Sequence, residues 1–401
     1  MSASVAPVSP VVPVPHPLAA PVARTAVTLM FAVNGLVLGG WGGSLPSMRD
    51  KLAIGDGSIA LMLFLAGIAG ITSMQVGGRL ADSVGARRIT LAALPVLVLA
   101  VVVLALAPTY PVAVAGAVLL GLGNGAMDVA MNAVGVQVEQ ARRNPVMSSF
   151  HAFFSIGSLL GAASVLGLSA AFGLTGGAIL KPLLIMLAVV GVVVLVLLHR
   201  IAPVAAPVAH RSSDGVRIRV PRAAYVLGIM ALAFGLSEGT AVDWSSIHIT
   251  DVAHVDPTTG AVGLVAVSAF MVLIRLLGDR LVTRFGRRAI VRFGGVSAAL
   301  GYLAVTLVSS LPLLVAGWAL VGLGVGMIAP QVYAVAGHLG GGRVLAVVVT
   351  FGYAAFLAGP AVIGFLVRHV GIHHVMAVPA VLCAGIVALA ATMPREDRDL
   401  A

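Results

Sequence analysis

The stretch GRLADSVGARR, residues 78–88, returns in altered form as DRLVTRFGRR at residues 279–288. The two copies are 201 residues apart, and the same offset places GLGNG (121–125) on GLGVG (322–326). One offset that aligns two separate motifs indicates an internal duplication. The chain is therefore predicted to consist of two halves with the same succession of segments, an arrangement typical of membrane transporters whose site lies between the halves.

The composition places both halves in a lipid bilayer. Of the 401 residues, 60% are hydrophobic and only 9% are charged, and the mean hydropathy is +1.09. A soluble protein of this size could not hide so much apolar surface from water. The single cysteine, Cys383, excludes an internal disulfide and a thiolate metal site. We expect no cofactor and no metal.

A helix needs about 20 apolar residues to cross about 30 Å of hydrocarbon, and the sequence contains twelve such runs. They are predicted at 25–45, 57–77, 89–107, 111–139, 148–171, 179–198, 223–248, 260–281, 289–308, 312–335, 344–367 and 372–392. The predicted fold class is an all-α membrane protein whose twelve transmembrane helices form two six-helix pseudo-repeats.

The basic residues predict the orientation. If both termini are cytoplasmic, 19 of the 24 Lys and Arg residues lie on the cytoplasmic side, four lie outside and Arg275 falls within a span. This bias follows the positive-inside rule. It also accounts for the net charge of +10 and the pI of 10.9 without a nucleic-acid partner.

The predicted boundaries follow from the spans and from two polar regions. Residues 1–23 contain six prolines and no basic start, which predicts a disordered cytoplasmic tail rather than a signal peptide. The basic stretch 199–222 is predicted to be a cytoplasmic linker between a first half at 24–198 and a second half at 223–392. Residues 393–401 are predicted to be a cytoplasmic tail.

The duplicated stretch resembles the loop 2–3 signature of the major facilitator superfamily, Gly-x-Leu-Ala-Asp-x-x-Gly-x-Arg-Arg/Lys, although the second copy has Thr283 in place of the aspartate. The resemblance implies a gate at the cytoplasmic side that closes in the outward-open state. The alternative is that these charges only fix the topology. The residues assigned to the gate are Gly78, Asp82, Gly85, Arg87, Arg88, Asp279, Gly286, Arg288 and Arg343.

A polar stripe in the fourth span carries the strongest functional signal. In GAMDVAMNAVGVQVE (125–139), Asp128 and Asn132 are four residues apart and share one helix face. An ionised carboxylate inside the bilayer costs about 2.5–3.5 kcal/mol. Such a group could exchange protons with alternate sides, or it could be a static hydrogen-bonded carboxyl. Glu139, beside Arg142 and Arg143, is predicted to form an interfacial ion pair.

This pattern is similar to the Glu-x-x-x-Asn-Pro sequence of fucose–proton symporter relatives, but Ala133 replaces the proline. The resemblance implies a proton-coupled carrier of a small polar solute. The stretches MNAVGVQVE and SSFHAFFSIGSLLGA also resemble a group of bacterial superfamily members whose substrates are mostly unassigned.

Further ionisable residues fall inside other spans. His151 shares a helix face with Ser148, Ser155 and Ser158, which is compatible with proton relay or with a structural role. Glu238 and Asp243 point about 140° apart on a helix, and the deeper Glu238 is the better candidate for coupling.

Arg275 needs a partner inside the membrane, and Asp128, Glu238 or a substrate anion could provide one.

The remaining candidates are uncharged. Trp244, like Trp41, could belong to an interfacial aromatic belt or provide a stacking surface for a solute. The neutral polar residues predicted to line a substrate cavity are Asn34, Asn124, Asn132, Gln331, Tyr333 and Tyr353.

The leading interpretation is proton-coupled uptake of a small solute, sugar-like or otherwise polar, by a monomer in the inner membrane. The alternative is proton-driven efflux of amphipathic drugs or metabolites. The expected partners are the solute, protons and the lipid bilayer. The sequence has no HExxH and no phosphate-binding Gly-Lys-Ser/Thr motif, so an enzyme is not expected.

Overall fold

The structure, a computed structural model, describes Leu18 and residues 20–142, 146–203 and 221–393. Twelve helical segments of this part of the chain are long and apolar enough to cross a membrane, which confirms the predicted number. The predictions for the tails 1–23 and 393–401 and for the linker 199–222 fall largely outside the described residues and stay predictions.

The first half contains spans 1 to 6, which are the helices Pro21–Leu52, Asp56–Val84, Ala86–Leu106, Tyr110–Arg142, Met147–Phe172 and Leu180–Ile201, the last preceded by a 3-10 turn at Gly176–Ile179. The second half begins with spans 7 to 9, the helices Arg222–Val252, Val262–Phe285 and Arg287–Leu307, with the short helix Pro257–Gly260 between the first two. Span 12 comprises the helices Ile372–Val375 and Ala377–Leu389 and a last turn at Ala390–Thr392.

Spans 10 and 11, Leu311–Ala336 and Val347–Val370, belong to one unbroken helical stretch, Leu311–Val370. The chain nevertheless reverses within it. A Cβ atom at Gly352 would lie 2.7 Å from the hydroxyl oxygen of Tyr333, whereas 19 residues of straight helix would separate the two by about 28 Å. Spans 10 and 11 are therefore neighbours in the bundle.

Loops consequently alternate between two faces. We call the face with the ends of spans 2, 4, 6, 8 and 10 the basic face, because it carries most of the arginines, and the other the distal face. The turns after spans 2 and 8 on the basic face use Gly85 and Gly286, with φ of 92° and 76°. Residues with a side chain rarely adopt this region. This explains the glycine in both copies of the duplicated stretch.

The duplication is visible in the packing. A Cβ at Gly121 of span 4 would lie 2.0 Å from the carbonyl oxygen of Ala66 of span 2, and a Cβ at Gly322 of span 10 would lie 2.2 Å from that of Val267 of span 8. Gly322 and Val267 are the positions that correspond to Gly121 and Ala66 at the offset of 201 residues. The glycines of the span 4 stripe thus serve helix packing.

Apolar residues that are not buried against other helices explain the composition. Span 6 exposes Val189, Val192, Val193 and Val196, which is what lipid contact requires. The two halves meet where spans 1, 2 and 5 of the first half pack against spans 7, 8 and 11 of the second.

Candidate solute and proton site

Arg275 lies between the two halves at mid-depth and makes three hydrogen bonds. Its Nε donates to the carbonyl of Gly326 at 3.1 Å, one terminal nitrogen donates to Ser155 Oγ at 2.6 Å, and the other pairs with Glu238 Oε1 at 3.3 Å. The sequence left Asp128, Glu238 and a substrate anion open as partners. The structure gives Glu238, and it uses Ser155 to join span 8 to the other half.

A second contact between the halves lies on the same two spans, one turn further along span 5 and two turns away along span 8. The hydroxyl oxygens of Ser158 and Ser268 are 3.5 Å apart. Ser155 and Ser158 therefore both face span 8, as their spacing on one helix face requires. The third predicted serine of this face, Ser148, has a side chain outside the described part of the structure.

His151 lies on the same span, nearer the basic face. Its ring is exposed and packs edge-on against Phe31 with ring centroids 5.1 Å apart. Arg275 is close enough for its charge to act on the imidazole. A side chain that is exposed yet lies next to spans 1 and 8 faces a space between the halves.

Asp128 is half-buried in span 4 and has a different environment from Glu238. Asn132 Nδ2 donates to the Asp128 carbonyl at 2.8 Å and to its carboxylate at 3.3 Å. Among the described residues, no basic side chain pairs with Asp128. Tyr353, in span 11 of the other half, lies within electrostatic reach of the Asp128 carboxylate. Asp128, Asn132 and Tyr353 therefore lie at the same seam.

The other neutral candidates occupy two kinds of position. Asn34 is 1% exposed and its Nδ2 approaches Met131 Sδ at 4.0 Å. The Oδ1 atoms of Asn34 and Asn124 are buried with no hydrogen-bond partner among the described residues. Tyr333 is half-buried and within electrostatic reach of Glu238 and Tyr353. Tyr333 therefore adds a polar group beside Glu238, whereas Asn34 lies within the helix packing of the first half.

Two predicted cavity residues are placed elsewhere. Gln331 is buried and its Oε1 accepts a hydrogen bond from Arg287 at 3.0 Å, so it takes part in packing at the basic face. Trp244 is 1% exposed and packs beside Gly364 of span 11. Neither the lipid-interface nor the solute-stacking interpretation of Trp244 fits this burial, because both require an accessible ring. Trp41 is also buried, at 5% exposed, so it does not fit an interfacial aromatic belt either.

The residues assigned to the gate are only partly described. The Arg87 guanidinium donates to the carbonyls of Ala202 and His199 at 2.9 Å each, and so caps the end of span 6 within its own half. Arg88 is exposed, Arg288 and Gly286 are half-buried, and Gly78 lies against Val129 of span 4. The side chains of Asp82, Asp279 and Arg343 lie outside the described set, so the gate itself stays a prediction.

Glu139 also has partners that the sequence did not indicate. Its Oε2 accepts hydrogen bonds from the backbone N–H groups of Val146 at 2.6 Å and Met147 at 2.8 Å. The carboxylate therefore caps the start of span 5, where the helix dipole favours a negative charge. Arg142 and Arg143, its predicted ion-pair partners, have side chains outside the described set.

The distal face carries an ion-pair network that sequence reasoning missed. Arg49, at the end of span 1, pairs with Asp56 of span 2 at 2.6 Å and also with Asp251 at the end of span 7. Ser169 and Thr258 approach within 3.3 Å on the same face. Between described side chains, every hydrogen bond or ion pair that joins the halves lies at this face or at mid-depth.

Comparisons with known proteins agree with this architecture. A family model described as the Major Facilitator Superfamily matches residues 27–237 and 226–400. The chain is 35% identical over 343 residues to an uncharacterized transporter of Sinorhizobium fredii, y4wD, which covers 84% of this chain and 89% of the relative.

Two solved structures share the fold. A variant of the nucleoside transporter NupG superposes with a TM-score of 0.73 at 12% identity, over 92% of this chain and 98% of that one. The E. coli fucose:proton symporter FucP superposes with a TM-score of 0.62 at 13% identity, over 92% and 98%. At these identities the likeness concerns the fold alone.

Proposed function

Because this chain belongs to the major facilitator superfamily, we propose that this multi-pass transporter of the cytoplasmic membrane moves a small polar solute together with protons. Asp128 carries the proton, and the polar groups around the seam between the halves bind the solute. The observation that carries the proposal is the contrast between two acids at mid-depth: Glu238 is paired with Arg275, whereas Asp128 accepts only from Asn132 among the described residues.

This contrast assigns different roles to the two carboxyl groups. A carboxylate held by a guanidinium keeps its charge and its position, so Glu238 and Arg275 together form a fixed polar element. A carboxyl without a cation is costly to keep ionised inside a membrane. Asp128 therefore takes up a proton when its site is closed to water and releases it when water has access.

The orientation follows from the charges. With the basic face in the cytoplasm, the positive-inside rule is satisfied. The Arg49 network then closes the outer side, and the exposed ring of His151 lies in a vestibule open to the cytoplasm. In this assignment the structure corresponds to the inward-facing state of an alternating-access cycle.

The solute class follows from the groups that remain available. Arg275 is occupied by three oxygen acceptors, whereas Asp128, Asn132 and Tyr353 provide acceptors and neutral donors. Such a set suits a solute with several hydroxyl groups. The fold neighbours, a nucleoside transporter and a fucose:proton symporter, support this class.

The test is transport by the full-length protein in proteoliposomes that contain a pH-sensitive dye. Nucleosides, hexoses, polyols and organic ions are added outside in turn. We expect one polar solute to drive proton entry. Asp128→Asn should abolish this proton entry but retain exchange of labelled for unlabelled solute, because exchange needs no net proton movement.

Asp256→Asn is the matched control, since Asp256 caps a short helix on the distal face, and it should transport normally. Unchanged coupling in Asp128→Asn would remove Asp128 from the role. Proton movement opposite to the solute would identify an exporter instead.

A further inference from the structure

Spans 3 and 6 enclose a groove on the outer surface of the first half, close to the basic face. It holds about 530 Å³, a volume in the range of small-molecule sites, and is lined by Leu91, Pro95, Leu195, Val196, His199 and Arg200. The lining is almost entirely apolar except at the end where His199 and Arg200 lie. The groove thus has an apolar body and a basic mouth.

Both walls of the groove end in a cation. On span 3, Arg88, Leu91 and Pro95 are three and seven residues apart and share one helix face. On span 6, Val196 and Arg200 are one turn apart. Arg88, His199 and Arg200 are all exposed, and no hydrogen bond or ion pair joins their side chains to other described residues. Arg87 adds a further charge beside the mouth, although its donors are used by span 6.

We propose that this groove binds one anionic phospholipid, with an acyl chain along Leu91, Pro95 and Val196 and the phosphate between Arg88 and Arg200. The apolar body opens toward the hydrocarbon, because Pro95 and Val196 are both exposed. The cations lie where the helices leave the membrane, at the level of lipid phosphates. Basic pockets of this kind between helices suit anionic headgroups. A zwitterionic lipid offers no net charge to the mouth.

The test counts bound lipid on the purified full-length protein by native mass spectrometry, in detergent that contains phosphatidylglycerol or phosphatidylethanolamine. The wild type should retain one phosphatidylglycerol in preference. Each of Arg88→Gln and Arg200→Gln should weaken retention on the order of fivefold, since a basic residue near lipid phosphates contributes about that factor. The double variant should lose most binding.

Two further variants distinguish a lipid-binding groove from a basic surface that attracts anions without a defined site. Val196→Trp fills the groove but leaves every charge in place, and it should also lose the lipid. Arg280→Gln removes an exposed arginine of the same face in the other half, and it should bind as the wild type does. Lipid-free thermal unfolding of each variant confirms that it is folded.

Equal retention by Arg280→Gln and the double arginine variant would overturn the proposal, as would normal retention by Val196→Trp. Displacement of the lipid by glycerol phosphate alone would also overturn it, because the site would then be one for free phosphate. The assay involves no solute and no proton gradient, so its outcome is independent of the proposed transport.

Discussion

Arg49 and Asp251 join the two halves of the bundle at the distal face through a two-point ion pair, in which one guanidinium nitrogen lies 2.7 Å from a carboxylate oxygen and the second nitrogen contacts the other oxygen. Arg49 ends span 1 and Asp251 ends span 7, so the pair closes only when those ends meet. Asp56 holds the same guanidinium from within the first half.

Breaking this pair should favour opening of the distal face. The side chains are 18% and 28% exposed, so we expect Arg49→Gln to cost about 1 kcal/mol, near the upper limit for solvent-accessible pairs. Opening is measured by labelling a cysteine introduced as Thr258→Cys in a chain that also carries Cys383→Ala. Thr258 is 1% exposed beside the seam, so the new thiol is accessible only when the face opens. Its labelling rate should rise about fivefold. Lys181→Gln, an exposed distal cation, is the control, and equal rates in the two variants would contradict the prediction.

Removal of Arg275 should destabilise the protein more than removal of the whole pair. Arg275→Gln leaves Glu238 buried without its cation, and breaking a buried ion pair costs about 3–5 kcal/mol. Adding Glu238→Gln removes the stranded charge and should recover a large part of that loss. Thermal unfolding in detergent measures the two single variants, Arg275→Gln and Glu238→Gln, and the double variant. A double variant that loses the sum of the two single losses would show that the two groups act independently.

A methyl group at Gly121 should disrupt the first half, because its Cβ would lie 2.0 Å from the Ala66 carbonyl oxygen. The clash would be with backbone, which cannot move aside as the end of a flexible side chain can. We therefore expect Gly121→Ala to lower the melting temperature strongly. Gly167→Ala is the matched control, since no atom lies within 4 Å of its Cβ position. That variant should be neutral or slightly more stable, because alanine favours helix over glycine by up to about 1 kcal/mol. Equal melting temperatures would refute the close contact.

Asp256 caps the short helix between spans 7 and 8, and its contribution to stability should depend on pH. Partial burial alone would raise the pKa of Asp256, but hydrogen bonds from Thr258 and Thr259 outweigh this and hold the pKa below its ordinary value of 3.8. A depressed pKa stabilises the fold above that ordinary value, and the contribution is lost as pH falls through the folded value. Asp256→Ala should therefore cost about 1 kcal/mol at neutral pH.

The measurement is thermal unfolding of the wild type and Asp256→Ala across a pH series. The difference between them should shrink as pH falls below 3.8, where the unfolded chain is protonated first, and should be smallest below the folded pKa, where the carboxyl is protonated in both states. A difference that stays constant down to the lowest pH would contradict the cap. Asp50→Ala provides a comparison on the same face, since Asp50 accepts from the Gly177 N–H.

Much of the fold could be predicted from the sequence because its signals are local or periodic. A span shows itself through about twenty apolar residues in a row, and the duplication shows itself through one constant offset. The glycine turns at Gly85 and Gly286 belong to the repeated stretch, and their backbone conformation explains why both copies keep them.

The site was less predictable because its contacts join spans that are far apart in the chain. The choice of Glu238 over Asp128 for Arg275 depends on how spans 7 and 8 rotate about their axes, which hydropathy does not specify. The distal pairing of Arg49 joins residues 202 positions apart. The burial of Trp244 could not be predicted, because it depends on the facing Gly364, which leaves room for the ring and belongs to a distant span.

The glycine–carbonyl contacts have a mechanical consequence for movement within the bundle. Where the backbone of span 4 touches that of span 2 at Gly121 and Gly125, no side chain lies between them that could change rotamer and let one helix slide. The same holds for span 10 against span 8 at Gly322. Each pair of helices should therefore move as one rigid body. Any change of shape then has to occur where the halves meet, at the contacts of span 2 with span 11 and of span 5 with span 8.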